Sequence, residues 1–327
     1  MGEVHRLDRG GSPPLPAASA AYLATLSGPE QRNTQRAYRS TLRALAGEFS
    51  PPSARFTVAE LDDEENVERL TAWFTGRWSE RAAATFNRHL DALRSAAAFW
   101  ASQGWLTSDP TRRLRRRGRA PDRTRALGSA DIEALLDMDV PIREKTLWTM
   151  LYETAARSSE VLALDIEDLD RRNRRSKVTR KGSAVDVIVW QTGTARLLPG
   201  LLDGRTRGPV FLTDRRARVA LAAADLDPAS GRARLSYRRA EEIFTELTKP
   251  LAHPDITDPD LLASAPGWTL HQLRHSALTR AAENGANTST LLAYSGHSSV
   301  ASLARYTRVS PDALTRWQAG RDPHRRR

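Results

Sequence analysis

The sequence predicts a mainly α protein with a small β-sheet, an α+β chain in two domains. Three observations predict it. At 327 residues the chain exceeds one ordinary small domain. Apolar side chains recur at helical spacing up to about residue 107. Further on, two short extended runs flank a Gly-Ser pair, which is a hairpin signal set among helical patterns.

Residues 1–16, rich in Gly and Pro, read as a disordered lead-in. A helical domain is expected over 17–111. Tyr38, Leu42, Leu45 and Phe49 recur at helical spacing, as do Leu70, Trp73 and Phe74. The longest run is Phe86, Leu90, Leu93, Ala97 and Trp100, with Ser79 as an N-cap for its helix and Gly104 as its stop. These runs predict a bundle of about four helices whose aromatic stripe is core rather than a base-stacking platform. Asp109-Pro110 ends the bundle. Residues 112–125 hold eight arginines and one aspartate, so 112–126 is expected to be a linker, because like charges this dense repel. Arg112, Arg113, Arg115, Arg116, Arg117 and Arg119 are its candidates for contact with a DNA backbone.

A second domain is expected over 127–308. Helices are predicted at 130–138 and 142–155, with a short one at 160–164. Extended runs at 177–181 and 186–190 form the hairpin around Gly182-Ser183, and 208–212 reads as a third strand. Ala240, Ile243, Phe244 and Leu247 mark another helix, and 253–267, with its prolines and aspartates, reads as a loop. Residues 309–327 are expected to form a C-terminal helix, opened by Ser310-Pro311 and carrying Leu314 and Trp317, followed by a basic tail.

The formal charge is +11 with a pI near 10.6, mostly from arginine. Such a balance points to a polyanionic partner, with nucleic acid ahead of an anionic membrane. A GC-rich genome would enrich Arg, Ala and Pro as well, so charge alone does not decide. No apolar run approaches the roughly 18 residues of a membrane span, and the N-terminus lacks a secretory apolar region. The chain has no cysteine, which excludes disulfides and zinc-thiolate sites and fits a reducing cytoplasm.

The chemistry-bearing stretch is 269–307. His271 and Arg274 lie three apart and share a helix face, while His275 lies off that face and reads as structural. His297 follows Gly296 at an expected helix start, where exposed backbone N–H groups favour an anion. Tyr306 follows nine residues later. Breaking and rejoining a phosphodiester needs fixed cations on the non-bridging oxygens, an in-line nucleophile and a proton for the leaving 5′-oxygen. Guanidinium suits the first task because its planar fork meets two oxygens and keeps its charge.

Three motifs in order resemble the tyrosine recombinase (phage integrase) family. T-A-A-R-S-S-E at 154–160 resembles the family's T-G-L-R-x-S-E box, T-R-K-G-S-A at 179–184 resembles its G-K-G hairpin, and H-x-L-R-H, G-H and Y complete the set. The resemblance spans 127–320, and the preceding bundle resembles the family's core-binding domain by pattern and position. It implies an N-terminal helical core-binding domain and a C-terminal mixed catalytic domain of tyrosine recombinase type.

The implied roles agree with the chemistry. Tyr306 attacks the scissile phosphate to form a 3′-phosphotyrosyl link. Arg157 and Arg274 bind the non-bridging oxygens. His271 and His297 donate to the same phosphate, and Lys181 is the general acid, with Lys177 close by as the alternative. Glu160 orients its neighbours. The covalent link conserves the bond energy, so no cofactor is expected, and no carboxylate cluster calls for a catalytic metal.

The implied function is site-specific recombination of double-stranded DNA through a Holliday junction, by a tetramer assembled on DNA in the cytoplasm. The alternatives are a topoisomerase or telomere resolvase with the same chemistry, or a DNA-binding relative that has lost it. Two departures stand out. Ala155 and Ala156 replace Gly and Leu of the first box. Arg180 replaces the first glycine of the hairpin motif, with Ala184 and Asp186 after the turn where a basic residue is usual.

Overall fold

The computed structural model describes residues 11–28, 31–50, 55–118, 126–180, 184–296, 300–303, 314–315 and 318–319. Lys181, His297, Tyr306 and Arg119 lie outside the described residues, as do 1–10 of the lead-in and the Ser310-Pro311 helix start. The chain forms two compact units, Met1–Asp122 and Arg123–Arg327.

Among the described residues the first unit is a bundle of four α-helices: α1 (Leu15–Thr25), α2 (Arg32–Phe49), α3 (Glu64–Trp78) and α4 (Ala83–Ser102). Residues 11–16, expected to belong to the lead-in, pack on this bundle. Leu15 is fully buried, and its N–H donates to Phe56 O at 2.9 Å. The periodic residues Leu42, Leu45, Phe49, Leu70, Phe74, Phe86, Leu90, Leu93 and Trp100 make one core. Its aromatic rings pack on one another, with Phe74 4.6 Å from Trp78 and 5.0 Å from Phe86. The stripe is therefore core, where each large side chain contributes about 1.5–3 kcal/mol. Ser79 closes α3 instead of capping α4, whose N-cap is Ala82. Gly104, at φ +72°, ends α4 with the left-handed turn that favours glycine.

The arginine run does not stand off as a linker over 112–118. Leu114 is buried in the bundle core, and Arg117 N–H donates to Asn87 Oδ1 at 2.9 Å. Arg112 and Arg113 pair with Glu64, Arg113 also with Glu68 at 2.9 Å, and Arg116 with Asp91 at 2.6 Å. Arg117 lies over the Phe86 ring at 4.2 Å. Acidic residues at the start of α3 and on α4 neutralise the repulsion that the local sequence implies.

The second unit opens with α5 (Ser129–Asp137), α6 (Ile142–Thr154) and α7 (Ser158–Leu162). Strands β1 (Leu169–Asp170), β2 (Arg175–Thr179) and β3 (Val185–Val189) form an antiparallel sheet in the order β1-β2-β3. The β2–β3 hairpin matches the sequence reading, with Lys177 opposite Val187. The third strand of this sheet is β1, not 208–212. Helix α8 (Thr192–Leu202) follows, and then β4 (Leu212–Arg216) and β5 (Arg232–Arg234) make a separate two-stranded sheet. Helix α9 (Tyr237–Ala252) carries the expected Ala240 and Phe244 into the core.

Region 253–267 contains α10 (Pro259–Ser264), started by Asp258 Oδ1, which accepts from Asp260 N–H at 2.9 Å. The unit ends its described helices with α11 (Leu270–Glu283) and α12 (Thr288–Ser295), and residues 314–315 and 318–319 are helical. Among the described residues no helix is long and apolar enough to cross a membrane.

Candidate active site

Arg157 owes its place to an unusual turn. Helix α6 ends at Thr154, and Ala155 closes it in the left-handed conformation at φ 48°, ψ 19°. Two residues later Arg157 is the N-cap of α7. Its N–H donates to Glu160 Oε2 at 2.9 Å, and its Nη1 donates to Glu160 Oε1 at 2.7 Å. The Glu160 side chain is 5% exposed and that of Arg157 39%. A buried carboxylate thus holds one edge of a guanidinium whose remainder reaches solvent.

Helix α11 presents the next pair. Thr269 and Gln272 form its capping box, with Thr269 N–H donating to Gln272 Oε1 at 2.8 Å. Leu270, Leu273, Ala277 and Leu278 face the interior. His271 is exposed in the first turn, and its ring meets that of buried His275 edge-on at 4.6 Å. Arg274 is 3% exposed. Its Nη1 donates to Ala155 O and its Nη2 to Ser295 O at 2.7 Å.

Both acceptors are at helix C-termini, Ala155 closing α6 and Ser295 ending α12. The carbonyls there carry partial negative charge and lack helical donors, so a guanidinium is matched to them. Tyr294 ties the same two ends together, donating to Glu153 O at 2.9 Å, and burial pushes its hydroxyl pKa well up. Arg157 and Arg274 are therefore organised around one feature, the Ala155 turn.

Gly296, at φ 58°, closes α12, and the helix start expected at His297 lies outside the described residues. Lys181 is flanked by described residues: Arg180 N–H donates to Ala184 O at 2.8 Å and closes the hairpin. Lys177 lies on the exposed face of β2, alternating with buried Ser176 and Val178. Sequence reasoning passed over Arg180, whose buried side chain reaches the Ser295 carbonyl at the end of α12. Its signal was the departure from the hairpin motif.

The profile of the Phage integrase family matches residues 125–312. The chain belongs to that family, the tyrosine recombinases. Among similar sequences, a tyrosine recombinase XerC of Mycobacterium sp. (strain KMS) is 30% identical over 302 residues, covering 88% of this chain and 92% of the relative. The XerC of Mycobacterium leprae is 27% identical over 292 residues, covering 86% and 90%. Among solved structures, the Tn1549 transposon integrase in complex with a circular intermediate DNA aligns with TM-score 0.67 and 17% identity over 95% of this chain and 100% of that one. The lambda integrase bound to DNA aligns with TM-score 0.61 and 14% identity over 90% and 95%. These last two likenesses show the fold. As a tyrosine recombinase the protein is a DNA strand transferase of site-specific recombination. Among the described residues no group of three or more His, Asp or Glu side chains could hold a metal.

Proposed function

We propose that this tyrosine recombinase cleaves and rejoins duplex DNA through a 3′-phosphotyrosyl intermediate formed by Tyr306, and resolves a Holliday junction as a tetramer on two DNA sites. The observation that carries the reading is the arginine arrangement. Arg157 is gripped along one edge by buried Glu160, and Arg274 is set by the two helix ends that flank it. Guanidiniums fixed in this way need little reorganisation when charge builds on a pentavalent phosphate. His271, in the exposed first turn of α11, donates to the same phosphate. His297 adds a second donor, and Lys181 delivers the proton to the leaving 5′-hydroxyl.

DNA is the partner that the charge of +11 fits, and the solved relatives named above are DNA complexes. Arg115, whose side chain is exposed, and Arg119 extend the phosphate contacts beyond the catalytic unit. Arg112, Arg113 and Arg116 hold carboxylates yet stay partly exposed, so their remaining N–H donors can add to these contacts, while Arg117 is turned to the Phe86 ring and the Ser79 carbonyl. The work takes place in the cytoplasm, where DNA and a cysteine-free chain meet.

The test uses a nicked suicide duplex, selected for binding to the full chain from a random-sequence pool. The wild type is expected to form a covalent adduct on it in excess EDTA. Tyr306→Phe should abolish the adduct while sparing binding. An adduct that survives in Tyr306→Phe would remove Tyr306 as nucleophile, and dependence on metal would overturn the metal-free mechanism. Lys181→Ala and Lys177→Ala, compared separately, identify the acid by which one slows cleavage.

A further inference from the structure

The two departures in the hairpin motif meet in space. Arg180 stands where the family has glycine, and Asp186 where a basic residue is usual. In the register Asp186 faces Val178, so Arg180 is its diagonal neighbour across the hairpin. Arg180 Nε lies 2.7 Å from Asp186 Oδ2, an ion pair without the alignment of a hydrogen bond. Its Nη1 donates to Ser295 O at 2.7 Å. That is the same carbonyl that accepts from Arg274 Nη2 at 2.7 Å.

The Arg180 side chain is 7% exposed. A guanidinium so deeply buried is tolerated only where its charge is matched, and here Asp186 and the C-terminal carbonyl of α12 match it. Gly296 shows how closely it fits. A Cβ built on Gly296 would fall 1.3 Å from Arg180 Nη1, so the guanidinium occupies the space any side chain at 296 would need.

We propose that Arg180 is a positioning residue for the phosphate grip. Anchored on Asp186, it fixes the Ser295 carbonyl and thereby the Arg274 guanidinium, and it locks the β2–β3 hairpin to the end of α12. The role rests on the reading of Arg274 as a phosphate ligand.

The test compares the full-length wild type with Arg180→Ala and Arg180→Lys. Amide hydrogen exchange over 288–296 should quicken in Arg180→Ala while the other helices keep their protection. On the selected nicked duplex, adduct formation by Arg180→Ala should slow by about tenfold or more, with duplex affinity within about threefold of wild type. Free guanidinium on the order of 10 mM should restore part of the rate to Arg180→Ala, and equal NaCl should not. Arg180→Lys keeps a charge beside Asp186 but lacks the fork. It should fold as the wild type does and be slow without guanidinium rescue.

Wild-type exchange and rate in Arg180→Ala would overturn the proposal. So would parallel losses of rate, affinity and Tm in both variants, which mark a packing role alone. A wild type that forms no adduct defeats the strand-transfer reading instead, and the exchange measurement then decides the clamp by itself.

Discussion

Ala155 is the residue on which the two described arginines of the site depend. It sits at φ 48° and is fully buried, and its carbonyl accepts from Arg274. An alanine in the left-handed region costs about 1–2 kcal/mol, which is why glycine suits such a turn. The family's box has glycine there, so this chain carries strain that its relatives' motif avoids. Ala155→Gly is expected to raise stability by up to about 1 kcal/mol, once glycine's extra unfolded-state entropy is set against the relieved strain. Urea unfolding of the full chain checks it, and a loss of stability would show that the methyl group's packing outweighs the strain. The substitution of Gly by Ala was plain in the sequence. That it falls on a left-handed residue whose carbonyl orients Arg274 was not, because local sequence does not report φ.

At the scale of elements, pairs of helix ends and segments are joined by single polar residues. Asp62 is one such joint in the helical unit. It accepts from Ser108 N–H and Ser108 Oγ, each at 2.8 Å, and from Thr107 N–H at 3.0 Å, pinning the chain after α4. Burial acts to raise the Asp62 carboxyl pKa, but the Ser108 and Thr107 donors outweigh it and hold it below the ordinary carboxylate value. A depressed folded pKa stabilises the fold above the unfolded value of about 3.9, and the benefit is lost as pH falls through the folded pKa. Asp62→Ala should therefore lower stability by about 1–3 kcal/mol at neutral pH. The gap to wild type should close as the pH of the melt is taken below about 4. A gap that stays constant with pH would assign the loss to packing.

The arginine segment teaches the opposite lesson about elements. Its local composition predicted a self-repelling linker, and it folds back because Glu64, Glu68 and Asp91 lie on α3 and α4. Charge density along a chain is a local property, whereas charge neutralisation depends on which helices pack together.

For the molecule as a whole, the excess of +11 makes association with DNA strongly salt-dependent. If about four phosphates are neutralised, affinity for a non-specific duplex should fall roughly a hundredfold between about 50 and 200 mM salt. Fluorescence anisotropy across that range measures the slope, and a flat response would remove phosphate contact as the basis of binding. The sequence by itself determined the helical bundle, the hairpin and the family. Periodic burial, turn residues and a motif set in fixed order are all written along the chain, and the six candidate residues at 157, 181, 271, 274, 297 and 306 could be named from them. Only the tertiary structure decided that Arg157 is backed by buried Glu160 and that Arg274 joins the ends of α6 and α12. The hairpin's odd arginine proved in the same way to be a buried clamp on Ser295. The contacts of Arg274 and Arg180 join helix ends and strands far apart in sequence, and the burial of Glu160, only three residues from Arg157, is set by what packs around it rather than by its neighbours in the chain.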